Sequence, residues 1–224
     1  MKNGTMALDS LKRLRDDTDG AAFLEFTVFA MFFFTLLFGI VEFTLAYYQW
    51  NAGTKAVQLG ARLAAVSDPV ASGLESLTGL EGSANPGDPM TAFSAVCQSN
   101  SPTGETGSCD PCTGFSCTYD ANSAAAVRRI VFGRGDRTAC SGEPPAGMCN
   151  LFSRATPEKV KITYTYTGLG YAGRPGGPVP TIRVELVDIP MQFIFFDALF
   201  GLNDYDIPGL ASTVTGEDLS IAGS

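Results

Sequence analysis

Residues 20–50 read GAAFLEFTVFAMFFFTLLFGIVEFTLAYYQW. Between Ala21 and Trp50 the only charged side chains are Glu25 and Glu42. A membrane-spanning helix needs about 20 mainly apolar residues, and this stretch supplies them. Tyr47, Tyr48 and Trp50 close it with aromatics that suit the boundary between hydrocarbon and headgroups. The run exceeds the apolar core of a cleaved secretory signal, about 7–15 residues, and helical character continues beyond it. Lys2, Lys12, Arg13 and Arg15 precede it. Orientation follows Lys and Arg rather than net charge, so Asp9, Asp16, Asp17 and Asp19 do not cancel their effect. A cytoplasmic N-terminus is expected, although Lys55 and Arg62 lie on the far side.

The helix is expected to run from residue 21 to 66, roughly 70 Å at about 1.5 Å per residue. Past the span, Leu45, Tyr48, Ala52, Ala56, Leu59, Leu63 and Val66 recur in steps of three and four, an amphipathic pattern. Asn51, Lys55, Gln58 and Arg62 fall on another face. Asp68-Pro69 ends the pattern, because a residue before proline avoids the helical region. Gly39, Ala46, Gly53 and Gly60 form a row of small residues seven apart, which lets helix backbones approach closely. Glu42 shares that face. A carboxylate at membrane depth is costly and usually finds a partner, so this face is expected to meet another helix carrying a donor or cation for Glu42; the alternative is a lone anchor whose Glu42 is protonated or sits near the interface.

The chain contains no histidine. That removes the commonest general base and a favoured metal ligand, and Ser-His-Asp or Cys-His catalysis cannot be built from it. No enzymatic activity and no cofactor are expected. The formal net charge of -8 speaks against a nucleic-acid partner.

All six cysteines, Cys97, Cys109, Cys112, Cys117, Cys140 and Cys149, follow the apolar segment. An even count confined to the far side of a span reads as disulfides in an oxidising compartment. Cys140–Cys149 is the expected local loop, and the other pairings stay open. Cys109-x-x-Cys112 with Cys117 lacks the second CxxC or histidine of a zinc site and the helix start of a redox motif, so no metal is expected.

Residues 67–224 carry nine Lys/Arg against 17 Asp/Glu, an acidic outward surface. Residues 69–122 look loop-heavy, with a short helix near Pro89–Gln98. A second helix is expected to start at Asp120, Asn122 or Ser123, to bury Ala126, Val127, Ile130 and Val131, and to end at Gly133. Lys159–Thr167 alternates as a strand, with Thr181–Val187 its partner across the Gly/Pro-rich 168–180, and Leu210–Thr215 adds a third. Pro190–Phe200 is strongly apolar but too short to span; it reads as core, or as a surface that contacts the membrane or a partner. Arg134-Gly135-Asp136 reads as a chance tripeptide, and Asn203, Asp204 and Asp206 as a solvated turn rather than a calcium loop. The fold class is α+β: a cytoplasmic leader (1–20), a transmembrane helix with its extension (21–66) and an exported head (67–224) with an antiparallel sheet.

Gly20-Ala21-Ala22-Phe23-Leu24-Glu25 resembles a type IV prepilin processing site: a charged leader ends in glycine, an apolar helix begins, and a glutamate stands fifth. The resemblance implies cleavage after Gly20 by a prepilin peptidase, making Ala21 the N-terminus, whose ammonium the Glu25 of a neighbouring subunit would pair with. Asp16, Asp17 and Asp19 crowd this site, a departure from the pattern. With Glu25-Phe26, Gly39-Ile40-Val41-Glu42-Phe43, Tyr47-Tyr48 and Gly60-Ala61-Arg62, the segment is similar to the TadE-like family, which includes minor pilins and pseudopilins of tight-adherence pili. This implies a single-pass protein of a bacterial inner membrane with a periplasmic head, working with other pilin subunits and the pilus assembly machinery in biogenesis and adherence. A permanently anchored binding or scaffold protein is the alternative.

Overall fold

The computed structural model describes residues 20–81, 84–175, 177–191, 193–201, 206–207 and 209–216. Residues 1–19, and with them the charges before the span, lie outside them, as do Asn203 and Asp204.

Helix α1 runs Ala21–Ala65, 45 residues, and stops just before Asp68-Pro69 as expected. It is long and apolar enough to cross a membrane. The chain divides into two compact units. One holds α1 as far as Leu45 together with Phe193–Leu202; the other holds Ala46–Gln192 and the residues from Asn203 onward.

The larger unit is α+β. Its strands β1 (Ser94–Ser99), β2 (Gly107–Thr113), β3 (Val160–Thr165), β4 (Thr181–Leu186) and β5 (Ala211–Thr215) form one antiparallel sheet in the order β2-β1-β3-β4-β5. The β3–β4 register follows the alternation in the sequence. Val160, Ile162 and Tyr164 stand opposite Leu186, Val184 and Ile182 on the buried face, while Lys161 stands opposite Glu185 and pairs with it at 3.5 Å.

Helix α2 (Ala121–Phe132) starts where its capping chemistry dictates. The Asp120 carboxylate accepts the Asn122 and Ser123 N–H groups at 2.9 and 3.0 Å, and the Ser123 hydroxyl accepts the Asp120 N–H at 3.1 Å. These bonds, first the Ser123 N–H and then the Ser72 hydroxyl, hold the Asp120 carboxyl below the usual range. Gly133 ends the helix at φ +87°, a left-handed conformation that glycine adopts without steric cost. Ala126, Val127, Ile130 and Val131 are all buried. A four-residue helix, α3 (Met148–Leu151), follows.

One core joins these elements: Ala56, Val57, Ala61 and Ala64 of α1 share it with Val127 and Ile130 of α2, Met148 of α3, and Ile162, Tyr164, Ile182 and Val184 of the sheet. Tyr164 is fully buried, and its hydroxyl accepts the Val70 N–H at 2.9 Å. Burial pushes its phenol far above the ordinary value.

The expected short helix near Pro89–Gln98 is a strand instead. Phe93, Ala95, Cys97 and Ser99 point inward and their neighbours outward, and β1 pairs with β3 along Ser94–Gln98. Spacings of three among Met90, Phe93 and Val96 suit a helix equally well; the long-range ladder decides. The loop-heavy reading of 69–122 also missed β2. Cys97 and Cys109 face each other across β1 and β2 and are bridged. Cys112–Cys117 and Cys140–Cys149 complete three disulfides, and no cysteine is free. Strand Ala211–Thr215 matches the expected third strand.

Phe195–Phe200 forms a short helix, α4. It belongs with α1 up to Leu45 and not with the sheet, so the apolar run at 190–200 is not simply core of the head.

Candidate membrane and assembly site

Ala21–Leu45 carries its large apolar side chains outward. Phe23, Leu24, Phe26, Phe29, Met31, Phe32 and Phe43 are each at least 67% exposed. In water such a surface is untenable; in lipid it is the required one. The polar side chains of the stretch are accommodated accordingly. The Thr27, Thr35 and Thr44 hydroxyls donate to the carbonyls of Phe23, Met31 and Ile40 at 2.7–2.8 Å, so no hydroxyl proton is left to the hydrocarbon.

Gly20 lies in an exposed turn directly before the helix, its carbonyl accepting the Leu24 N–H at 3.1 Å. Among the described residues, nothing beyond its chain neighbours stands within 4 Å of the position a Cβ would take there. Glu25 projects from the exposed surface one turn on.

Glu42 is the opposite case. It is 1% exposed, and its Oε1 accepts the Ile194 N–H at 2.7 Å and also the Phe195 N–H. Its Oε2 is buried and takes no hydrogen bond among the described residues. Phe38 stacks on Phe195 with ring centroids 4.3 Å apart, and a Cβ on Gly39 would lie 3.4 Å from Phe196. Within this chain the donors to Glu42 are backbone N–H groups, the nearer in sequence 152 residues away, a separation at which no sequence signal links the two.

The small-residue row divides in the same way. A Cβ on Gly53 would come within 2.7 Å of Leu210 Cδ1, and one on Gly60 within 2.9 Å of Met148 Cγ. Both glycines are buried against their own chain, whereas Ala46 is half-buried. The buried stripe is Gly53, Ala56, Val57, Gly60, Ala61 and Ala64, rotated from the amphipathic stripe read in the sequence. Tyr48 and Val66 of that stripe are 70% and 62% exposed. Close approach selects the side with glycine and alanine, not the side with the larger apolar groups. Arg154 fixes this part of α1 further: its guanidinium donates to Gln49 Oε1 at 2.6 Å and to the Pro190 carbonyl, and lies 5.0 Å over the Phe152 ring.

Arg134 and Asp136 form an exposed ion pair with each other at 3.2 Å. Among the described residues no group of three or more acidic, cysteine or histidine side chains is placed to hold a metal.

A family model described as TadE-like protein matches residues 20–62. That is the segment containing Gly20, Glu25, Glu42 and the glycine row, so residues 20–62 of the chain are similar to TadE-like proteins. Comparison with curated proteins and with solved structures gave no match.

Proposed function

We propose that the protein is a non-enzymatic, pilin-like assembly subunit, a minor pilin or pseudopilin of a tight-adherence pilus, contributing to pilus biogenesis and surface adherence. One observation carries the reading: an exposed glycine stands immediately before an apolar helix whose fifth residue is an exposed glutamate, at the start of the TadE-like match. In this reading prepilin peptidase cuts after Gly20 on the cytoplasmic face of the inner membrane. The ammonium of Ala21 then pairs with the Glu25 carboxylate of a neighbouring subunit, sheltered from water where the attraction is strong. The mechanism is helix association and display of the periplasmic head, without bond chemistry.

Gly53 and Gly60 are committed to the chain's own fold, so the surface left for other subunits is the exposed Ala21–Leu45 face, with Glu25 its one charged contact outside the buried Glu42. Sheared surface filaments should contain the wild-type chain. Glu25→Ala should leave the chain in the membrane and remove it from the filament fraction. Absence of the wild-type chain from filaments would refute incorporation and favour the second reading, a permanently anchored scaffold. The burial of Gly53, Gly60 and Glu42 within one chain favours that reading, because it satisfies those groups without a neighbour.

A further inference from the structure

At membrane depth every backbone N–H needs a partner within the protein, because hydrocarbon offers none. Glu42 stands roughly 30 Å along α1 from Ala21 at about 1.5 Å per residue. That reaches the outer margin of a hydrocarbon layer about 30 Å thick, just short of Tyr47, Tyr48 and Trp50. At this level the chain returns to the span. The Ile194 and Phe195 N–H groups both donate to Glu42 Oε1, Phe195 stacks on Phe38, and Phe196 approaches Gly39.

The two partners solve each other's problem. A carboxylate in hydrocarbon lacks donors, and the first N–H groups of a short helix lack acceptors. Meanwhile Ile194 is 62% exposed and Phe195 40% exposed, apolar surface placed beside the span by the stack of Phe195 on Phe38. Asp197 and the left-handed turn at Gly201, whose N–H bonds the Asp197 carbonyl at 2.8 Å, suit the headgroup margin and not the bilayer centre.

We propose that Ile194–Phe200 is a second membrane element, a short segment that dips into the outer leaflet against the span, with lipid acyl chains as its partner and Glu42 as the latch that holds it there. It requires only the anchoring helix and goes beyond filament entry: it gives the head two attachments to one bilayer.

The test uses the full chain in vesicles of phosphatidylglycerol and phosphatidylcholine, the latter brominated at shallow or at deep acyl carbons. Trp50 is the only tryptophan, so native fluorescence calibrates the interface. In a Trp50→Phe background, Ile194→Trp should emit blue-shifted light and be quenched by shallow bromines as strongly as Trp50 is. Tyr171→Trp, an exposed position of the head, should stay unquenched. Adding Glu42→Gln, which keeps an acceptor oxygen, should preserve quenching at position 194; adding Glu42→Leu should abolish it. Water-like, unquenched emission from position 194 while Trp50 is quenched in the parent would overturn the proposal. So would blue-shifted emission that ignores bromine and grows with protein concentration, which would mean that a second copy covers this surface. Equal quenching with Glu42→Leu would overturn the latch.

Discussion

One continuous helix is built to two opposite specifications. Before Ala46 its bulky residues face outward, Phe23 and Phe43 each 75% exposed, and Thr27, Thr35, Thr44 and Glu42 are hydrogen-bonded to backbone groups of the chain. After Ala46 its small residues face inward, with Ala56, Val57 and Ala64 fully buried. The first stretch treats its surroundings as hydrocarbon; the second treats a folded head as its solvent. Helix propensity is shared, so the difference lies in side-chain size and in what each face touches.

That contrast can be broken most sharply by truncating large side chains in each region. Ile162→Ala in the core should lower the unfolding free energy of the head by about 2–5 kcal/mol, read by urea unfolding of the detergent-solubilised chain. Phe32→Ala, 72% exposed on the span, should change the same transition by less than about 0.5 kcal/mol. Equal effects would mean that the two regions unfold as one body.

Replacing Cys140 and Cys149 together by serine should come next, with a loss of about 2–4 kcal/mol in the head and no change in membrane retention on carbonate extraction.

Gly60→Leu should cost about 1–3 kcal/mol, because the new side chain enters the space of Met148, itself fully buried. Gly39→Leu, whose nearest neighbour leaves 3.4 Å, should leave head unfolding unchanged.

The smallest loss expected in the head is from Asp120→Ala, about 1 kcal/mol, and it carries a pH signature. Asp120 titrates lower in the folded chain than in the unfolded one. Its stabilisation is therefore complete above the unfolded value, about 3.9, and fades as pH falls through the depressed folded value. The gap between wild type and variant, followed by circular dichroism melts, should be constant near neutrality and close only in acid.

The local rules were legible in the sequence and the distant partners were not. Asp68-Pro69, the Asp120 cap, the Gly133 stop and the alternation of Val160–Thr165 each act within a few residues, and each gave its element. Strand β1 was misread because Met90–Gln98 fits two periods until β3 pairs with it. Strand β2 contains Pro111 among glycine and serine and is tied to its neighbour by Cys97–Cys109, a link that composition cannot show. At the candidate site, Gly20, Glu25 and the cost of Glu42 were visible. The Ile194 and Phe195 donors were not, and the glycine row read as a subunit contact serves Leu210 and Met148 of its own chain at Gly53 and Gly60.

The central claim is that the helix starts at a processing site, and the mass of the mature N-terminus tests it most directly. In cells with active prepilin peptidase, N-terminal peptide mass spectrometry should find a chain beginning at Ala21, and loss of the peptidase should restore the leader. A chain that retains Met1 with the peptidase active would contradict the account.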